Sequence, residues 1–307
     1  MSDRQGRGWI IGAVVGGVFI AAMAFVLPAW HTATSNGGQQ YAEPFQIAGN
    51  LYYVGANDIA AFLITSPQGH VLLDGGYPGT AKMIAASIKE LGFNLKDVKV
   101  LISSEPHYDH AGGLAELQDS SGAELWASDA SAETMATGGA DPADKLNPFN
   151  LFVWTGLSRY DSPTVQHRLK DGDTVRLGPI ELTAHLTPGH SRGCTTWEFP
   201  VRSGARDLRV VSACSLELLP WMKFTDPQRY PGIRHDFEHS IATLRSLSPD
   251  IWVTSHARAF GRYRKFSARA AAKDPVDPFI DPAGYVEYID KGERAFKEKL
   301  AEQQAHP

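Results

Sequence analysis

The chain has 307 residues, of which 43% are hydrophobic and 21% are charged, as is usual for a globular protein with one large domain or two small ones. A formal net charge of -5 and a sequence without a Lys/Arg stripe argue against nucleic acid as a partner, because that partner requires a concentrated basic field. The two cysteines, Cys194 and Cys214, are too few for a disulfide framework, and they do not form a CxxC pair.

The N-terminal segment differs from the rest of the chain. Two arginines precede an uncharged apolar run over residues 9–27, whose length approaches the ~20 residues that span a bilayer. We predict that residues 1–28 are a signal peptide, cleaved near Ala22-Met23-Ala24, or an uncleaved anchor in the inner membrane. Glycines in the run disfavour the alternative of a buried core helix. Residues 29–44 are predicted to be a linker, and the domain over residues 45–307 is expected in the periplasm.

From residue 45 onward the pattern predicts strands followed by helices, twice over. In the first half we predict strands at 51–54, 61–65, 71–73 and 98–102, and helices at 82–91, 113–117 and 131–137. The aromatic-rich stretch 147–160 is predicted to be a loop. In the second half we predict strands at 167–169, 174–177, 180–186, 195–199, 208–212 and 251–254, a helix at 235–247 and a helical tail after residue 283. This order indicates an α/β fold, an αββα four-layer sandwich.

The densest chemical motif is the stretch Glu105-Pro106-His107-Tyr108-Asp109-His110, which lies between a predicted strand and a predicted helix. Four of its side chains can bind a metal, and neutral imidazole is a strong ligand for zinc. Neighbouring residues at such a corner point in different directions, so the stretch can serve two metal ions. The alternative is that Asp109 only caps the helix that follows.

Further polar residues lie at the C-terminal ends of predicted strands, where a rigid sheet presents functional side chains. They are Asp74 before Gly75-Gly76, His190 in Thr187-Pro188-Gly189-His190, Ser215 after Cys214, and His256. A lone histidine in such a place is more often structural. Two of them, together with the stretch 105–110, predict a metal site at one edge of the fold.

These motifs, in this order, resemble those of metallo-β-lactamase-fold hydrolases. The segments Gly189-His190-Ser191-Arg192-Gly193-Cys194-Thr195-Thr196-Trp197 and Tyr230-Pro231-Gly232-Ile233 resemble most the third subclass of metallo-β-lactamases. The resemblance covers residues 45–263 and implies the αββα sandwich with its site at one edge. It also implies two zinc ions per chain, the first bound by Glu105, His107 and His190 and the second by Asp109, His110 and His256. Asp74 is then expected to orient the metal-binding loop through hydrogen bonds.

The sequence departs from this family at the start of the metal motif, where most members have His and this chain has Glu105. A carboxylate can bind zinc, but its charge makes the site less positive and the metal a weaker Lewis acid. We expect Glu105 to bind the first metal more weakly than a histidine would. The alternative is that Glu105 turns away and forms an ion pair.

A second departure concerns the substrate-binding serines of the subclass. Ser215 matches the first of them, but Glu217 stands where the second is expected, and a glutamate repels a substrate carboxylate. Arg192 is the predicted carboxylate partner, with Arg258 as a second candidate. Cys214 is expected to be a small buried cysteine, with zinc ligation as the alternative.

The resemblance implies a zinc-dependent hydrolase that opens the amide bond of β-lactam antibiotics with a metal-bound hydroxide, which Asp109 orients as the catalytic residue. The expected partner is a small-molecule substrate. A lactonase or thioester hydrolase on the same scaffold is the alternative, and the two departures keep it open. A non-catalytic binding protein is disfavoured because all ligand positions are filled.

Overall fold

The structure, a computed structural model, describes residues 38–145 and 147–306. The predicted signal peptide or anchor, residues 1–28, therefore lies outside the described residues. Within the part of the chain that the structure describes, no helix is both long enough and apolar enough to cross a membrane.

The first half of the domain forms a seven-stranded sheet in which the strands follow each other in chain order. Its strands are β1 (Phe45–Ala48), β2 (Leu51–Tyr53), β3 (Phe62–Ile64), β4 (His70–Leu73), β5 (Val98–Ile102), β6 (Glu124–Ser128) and β7 (Val165–Leu169). Strands β1 to β4 pair antiparallel and β4 to β7 pair parallel. Parallel neighbours require crossover connections. These are supplied by helices α1 (Ala81–Glu90), α2 (Leu114–Ser121), α3 (Asp129–Ala136) and α4 (Pro148–Trp154).

The second half forms a five-stranded sheet in the order β12-β11-β10-β9-β8. Its strands are β8 (Thr174–Leu177), β9 (Ile180–Leu186), β10 (Thr195–Ser203), β11 (Arg206–Ala213) and β12 (Ile251–Thr254). Only β11 and β12 pair parallel, and helix α5 (Ile233–Ser246) connects them. Helices α6 (Arg262–Ala268) and α7 (Pro282–Ala305) complete the described chain, with 3-10 turns at Leu95–Asp97 and Asp277–Phe279.

The central strands of the first sheet are buried on both faces. Val71 and Leu73 join a core cluster with Trp197 of the second sheet, whereas Leu72, between them, joins a cluster with Ile84 of helix α1. Side chains alternate across a strand, so one face of this sheet packs on the other sheet and the opposite face on helices. The result is the α/β, four-layer αββα arrangement that the sequence predicts.

The prediction for residues 147–160 is wrong in part, because this stretch contains helix α4. The Asn147 side chain accepts a hydrogen bond from the Phe149 backbone N–H at 3.0 Å, and Pro148 occupies the first helical turn. An asparagine cap followed by proline is a helix-start signal that the aromatic composition obscured. Strands β1 and β6 and helix α6 were not predicted individually.

The two halves meet beside the ends of β4, β5, β11 and β12. An isolated β-bridge joins Ile59 of the first half to His256 of the second. Next to it, the Ala60 N–H donates to the Ser255 carbonyl at 2.9 Å. The polar residues that follow these strands are thereby brought to one edge of the molecule.

Candidate metal centre

The metal-binding loop runs from the end of β5 to the start of α2. The backbone N–H groups of His110 and Ala111 both donate to the His107 carbonyl, at 3.0 and 2.8 Å. Helix α2 begins only at Leu114, with Gly113 as its N-cap. Asp109 therefore does not cap this helix, and its carboxylate remains available as a ligand.

Glu105, His107 and His190 form a first group of side chains whose ligand atoms lie within 4.8 Å of one another. Glu105 Oε2 contacts His107 Nδ1 and lies 3.3 Å from His190 Nε2. The rings of His107 and His190 meet edge to face, with centroids 4.9 Å apart. The group joins a loop of the first half to the loop after β9.

Asp109, His110 and His256 form a second group of the same compactness. Asp109 Oδ2 lies 3.3 Å from His110 Nε2 and 3.7 Å from His256 Nε2. The two groups are neighbours, because His110 Nε2 is also 3.8 Å from Glu105 Oε1 of the first group. The structure thus brings together the six residues that the sequence predicts as ligands.

Two histidines of these groups are oriented through their second ring nitrogen. His190 Nδ1–H donates to the Glu217 backbone carbonyl at 2.6 Å, and His256 Nδ1 lies 3.1 Å from Asp58 Oδ2. Each contact fixes the ring and leaves Nε2 for a metal, as is usual for histidine ligands. Asp58 was missed in the sequence because it lies far from any ligand along the chain.

The donor set fits a pair of divalent cations such as zinc. Glu105 is fully buried, and the neighbours of its Oε2 atom are the imidazole nitrogens of His107 and His190. Burial alone would raise the pKa of Glu105, but His190, His107 and His110 outweigh it and hold the pKa well below its ordinary value. An ionised, buried carboxylate oxygen that faces two imidazole nitrogens is suited to a cation. Glu105 thus lies among histidines, and it forms no ion pair with a lysine or arginine of the described chain.

Asp74 holds the metal-binding loop through hydrogen bonds, as the sequence predicts. Its carboxylate accepts hydrogen bonds from the Ser104 backbone N–H at 2.7 Å and the Ser104 hydroxyl at 2.6 Å. Burial raises the pKa of Asp74 to about 8 against the effect of these hydrogen bonds. Its φ of 66° is in the left-handed region, a strained backbone state that is typical of functional sites.

Gly75 and Gly113 allow the segment that contains Asp74 to lie close to the metal-binding loop. A Cβ on Gly113 would lie 2.2 Å from the Gly75 carbonyl oxygen, and one on Gly75 would lie 2.7 Å from the Leu114 nitrogen. Larger residues at either position would push the loop away from Asp74.

Cys194 and Cys214 form a disulfide, contrary to the expectation of an unpaired buried cysteine. Cys214 Sγ lies 3.9 Å from Glu105 Oε1, so the disulfide packs against the first group. Neither sulfur is a thiolate, and the alternative that Cys214 binds zinc is therefore wrong for this state. The disulfide could have been predicted from the sequence, because the chain has an even number of cysteines and is predicted to be exported.

Five of the six ligands, all except the buried Glu105, line a cavity of about 270 Å³. Its wall is largely aromatic and apolar, with Tyr77, Tyr108, Phe149, Leu219 and Trp221. A second cavity of about 670 Å³ shares His256, Glu217 and Arg258 with it but contacts only one metal ligand. The smaller cavity is the candidate substrate site because it contains ligands of both groups.

The two predicted substrate-binding residues, Ser215 and Arg192, do not line this cavity. Ser215 is buried, and its hydroxyl accepts a hydrogen bond from the Glu217 backbone N–H at 3.0 Å. Arg192 donates to Asp141 at 2.8 Å. Arg258, the second candidate for a carboxylate partner, does line the cavity, as does Glu217.

An αββα sandwich with two adjacent ligand groups at the ends of its strands defines a metal-dependent hydrolase. The family model of the metallo-β-lactamase superfamily matches residues 54–205. The FEZ-1 metallo-β-lactamase of Legionella gormanii superposes with a TM-score of 0.81 at 35% identity, over 87% of this chain and 98% of that one. The chain belongs to the metallo-β-lactamase superfamily.

Two further relatives carry names that state different activities. BJP-1, a subclass B3 metallo-β-lactamase of Bradyrhizobium japonicum, superposes with a TM-score of 0.78 at 33% identity, over 89% of this chain and 98% of that one. A hydroxyacylglutathione hydrolase of Jannaschia sp. is 25% identical over 64% of this chain, and the match spans 61% of that relative's length.

Proposed function

We propose that this protein is a zinc-dependent hydrolase that opens the amide bond of β-lactams. The observation that carries the proposal is the placement of two adjacent three-residue ligand groups at one cavity, which five of the six ligands line, with Glu105 of one group next to His110 of the other. Similarity to β-lactamases over nearly their whole length supports the same substrate class.

Zinc bound by the two groups would supply Lewis acidity and a water molecule of lowered pKa. Burial would raise the pKa of Asp109, but His110 and His256 outweigh it, so the pKa lies below its ordinary value. Asp109 is therefore an ionised carboxylate that can accept a hydrogen bond from the attacking water. It orients that water toward the carbonyl carbon of a bound lactam.

The other residues keep this arrangement fixed. The Glu217 carbonyl and the Asp58 carboxylate hold the rings of His190 and His256, and Asp74 holds the loop through Ser104. Such outer contacts matter nearly as much as the ligands themselves. The aromatic wall of the cavity excludes bulk water from one side of the substrate, which strengthens electrostatic interactions inside it.

A thioester or lactone hydrolase on this scaffold is the second candidate function. Its support is the likeness to the hydroxyacylglutathione hydrolase, together with the Glu217 side chain at the cavity, which would repel a β-lactam carboxylate. Both candidates use the same ligands, so the substrate alone distinguishes them.

The test is hydrolysis of nitrocefin, meropenem and a hydroxyacylglutathione thioester by the purified protein, with and without added zinc. We expect β-lactam turnover that requires zinc. An Asp109→Asn variant purified in parallel controls for contaminating hydrolases. Cleavage of the thioester without β-lactam turnover, in protein that contains zinc, would replace the first proposal by the second.

We also propose that the protein works outside the cytoplasm. The apolar run 9–27 supports export, and the disulfide Cys194–Cys214 supports an oxidising compartment. Fractionation of cells that produce the full chain tests this; recovery in the cytoplasm with reduced cysteines would contradict it.

A further inference from the structure

The cavity contains one ion pair whose side chains are not metal ligands. Arg258 Nη2 donates to Glu217 Oε2 at 3.2 Å, and both residues line the cavity beside the histidine ligands. Among the described residues that line the cavity, Arg258 is the only lysine or arginine and Glu217 the only glutamate. The positive charge available to an anionic substrate is therefore already occupied by a carboxylate of the chain.

The two edges of the Arg258 guanidinium are held differently. Nη1 donates to Asp58 Oδ2, and the Arg258 backbone N–H donates to Asp58 Oδ1 at 3.0 Å. Asp58 is 17% exposed at its side chain, whereas Glu217 is 57% exposed. The contact with Asp58 thus positions the guanidinium, and the contact with Glu217 is the replaceable one.

Glu217 can release Arg258 without disturbing the metal ligands. Its backbone contacts do not involve the side chain: the carbonyl accepts from His190 Nδ1, and the N–H donates to the Ser215 hydroxyl. The carboxylate is exposed, and exposed ion pairs contribute little to stability because water solvates both partners. Rotation of the Glu217 side chain toward solvent would free Nη2 while His190 keeps its orientation.

We infer that Arg258 binds a carboxylate of the substrate, and that Glu217 occupies this position until the substrate displaces it. The inference rests on the proposed function for the identity of the substrate. Arg258 then takes the substrate-binding role that was predicted for Ser215 and Arg192, which do not line the cavity. Glu217 then acts as an internal competitor that weakens the binding of anionic substrates.

The experiment compares a substrate that carries the carboxylate with its methyl ester, using zinc-loaded protein. Glu217→Gln removes the competing charge and should lower KM for the acid by up to roughly fivefold, as expected for release from an exposed ion pair. Arg258→Gln should raise KM for the acid roughly 10- to 100-fold, because it removes a charge-assisted hydrogen bond. KM for the ester should change little in either variant.

Three controls separate this role from a structural one. Arg202→Gln removes an exposed arginine that pairs with Asp207 at 3.1 Å outside the cavity, and it should leave both KM values unchanged. Arg258→Lys keeps the charge and should recover part of the effect. Zinc content is measured in every variant, because Arg258 Nη1 lies 3.0 Å from His256 Nδ1.

The double variant Glu217→Gln/Arg258→Gln tests most directly whether Glu217 acts through Arg258. In the Arg258→Gln background, Glu217→Gln should lower KM for the acid much less, because no arginine is released and only the direct repulsion by Glu217 is removed. Equal changes for acid and ester, or additive effects in the double variant, would overturn the inference.

The substrate test separates this inference from the proposed function. If only the glutathione thioester is cleaved, the proposed function fails, and the same comparison is made with that thioester and its carboxyl esters. Hydrolysis of neither substrate class overturns both.

Discussion

The two ligand groups lie side by side but are supported in different ways. In the first group, the side chains of Glu105, His107 and His190 are 0%, 25% and 7% exposed; the disulfide packs against Glu105, and a backbone carbonyl holds His190. In the second, those of Asp109, His110 and His256 are 24%, 1% and 16% exposed, so the groups differ in their support and not in their exposure. His256 depends on the charged side chain of Asp58, which also contacts the exposed Arg258. Support by a disulfide or a backbone carbonyl is insensitive to salt, whereas support by a charged side chain is weakened by salt and by loss of that charge.

Stepwise metal removal is the strongest test of this difference. Chelation should abolish measurable turnover, because no other residue can replace the Lewis acid. On return of the metal, we expect the second group to fill before the first, since Asp109 is 24% exposed whereas Glu105 is buried in contact with His107 and His190. Titration of the metal-free protein with cobalt(II), followed by absorbance, would show two steps; a single step would mean that the groups do not differ.

Removal of the disulfide should loosen the first group selectively. The double variant Cys194→Ser/Cys214→Ser loses a crosslink between residues 20 positions apart, which stabilises a protein by about 3 kcal/mol. Urea unfolding of metal-free protein measures this loss, and metal titration shows which group is affected. An unchanged unfolding midpoint, or weaker binding only at the second group, would contradict the expectation.

Asp58→Asn should act on the second group instead. The amide removes the charge that holds His256, and loss of such a partner weakens metal binding about 10- to 100-fold. The first group should keep its affinity. Asp207→Asn, at an exposed carboxylate paired with Arg202, is the matched control and should leave both groups unchanged.

Glu105→His should replace the carboxylate and two imidazoles of the first group by three imidazoles, with the smallest effect of the series. Imidazole is a stronger zinc ligand than a carboxylate, and its neutrality leaves the bound metal a stronger Lewis acid. We expect tighter binding at the first group by on the order of tenfold, or about 1.4 kcal/mol. Competition titration measures the affinity, and equal values for the variant and the natural protein would disprove the role assigned to Glu105.

The features that the sequence predicted well depend on local chain geometry. Strand β5 and the motif that follows it are contiguous, so the ligands from Glu105 to His110 could be recognised together. The strand-then-helix order predicted the two halves and the four layers, because alternating burial produces a periodic sequence pattern. The strand at 167–169 was assigned to the wrong half: as β7 it pairs with β6 in the first sheet. The same periodicity located strand β12, after which His256 follows.

The features that could not be predicted depend on long-range packing. Asp58 and His256 are 198 residues apart, and no local pattern joins them. The disulfide likewise requires the loop before β10 to meet the end of β11. Ser215 matched a family position by register, but its burial depends on how the following turn packs, which a motif does not encode.

Each ligand group takes two residues from the first half of the chain and one from the second, His190 or His256. Neither sheet alone therefore offers a complete metal site. During synthesis the loop with Glu105 to His110 emerges long before His256, so tight metal capture must wait until strand β12 has been made and docked. Tight metal binding would then require the fully folded domain, so metal content would measure the fraction of chains in which both halves have docked.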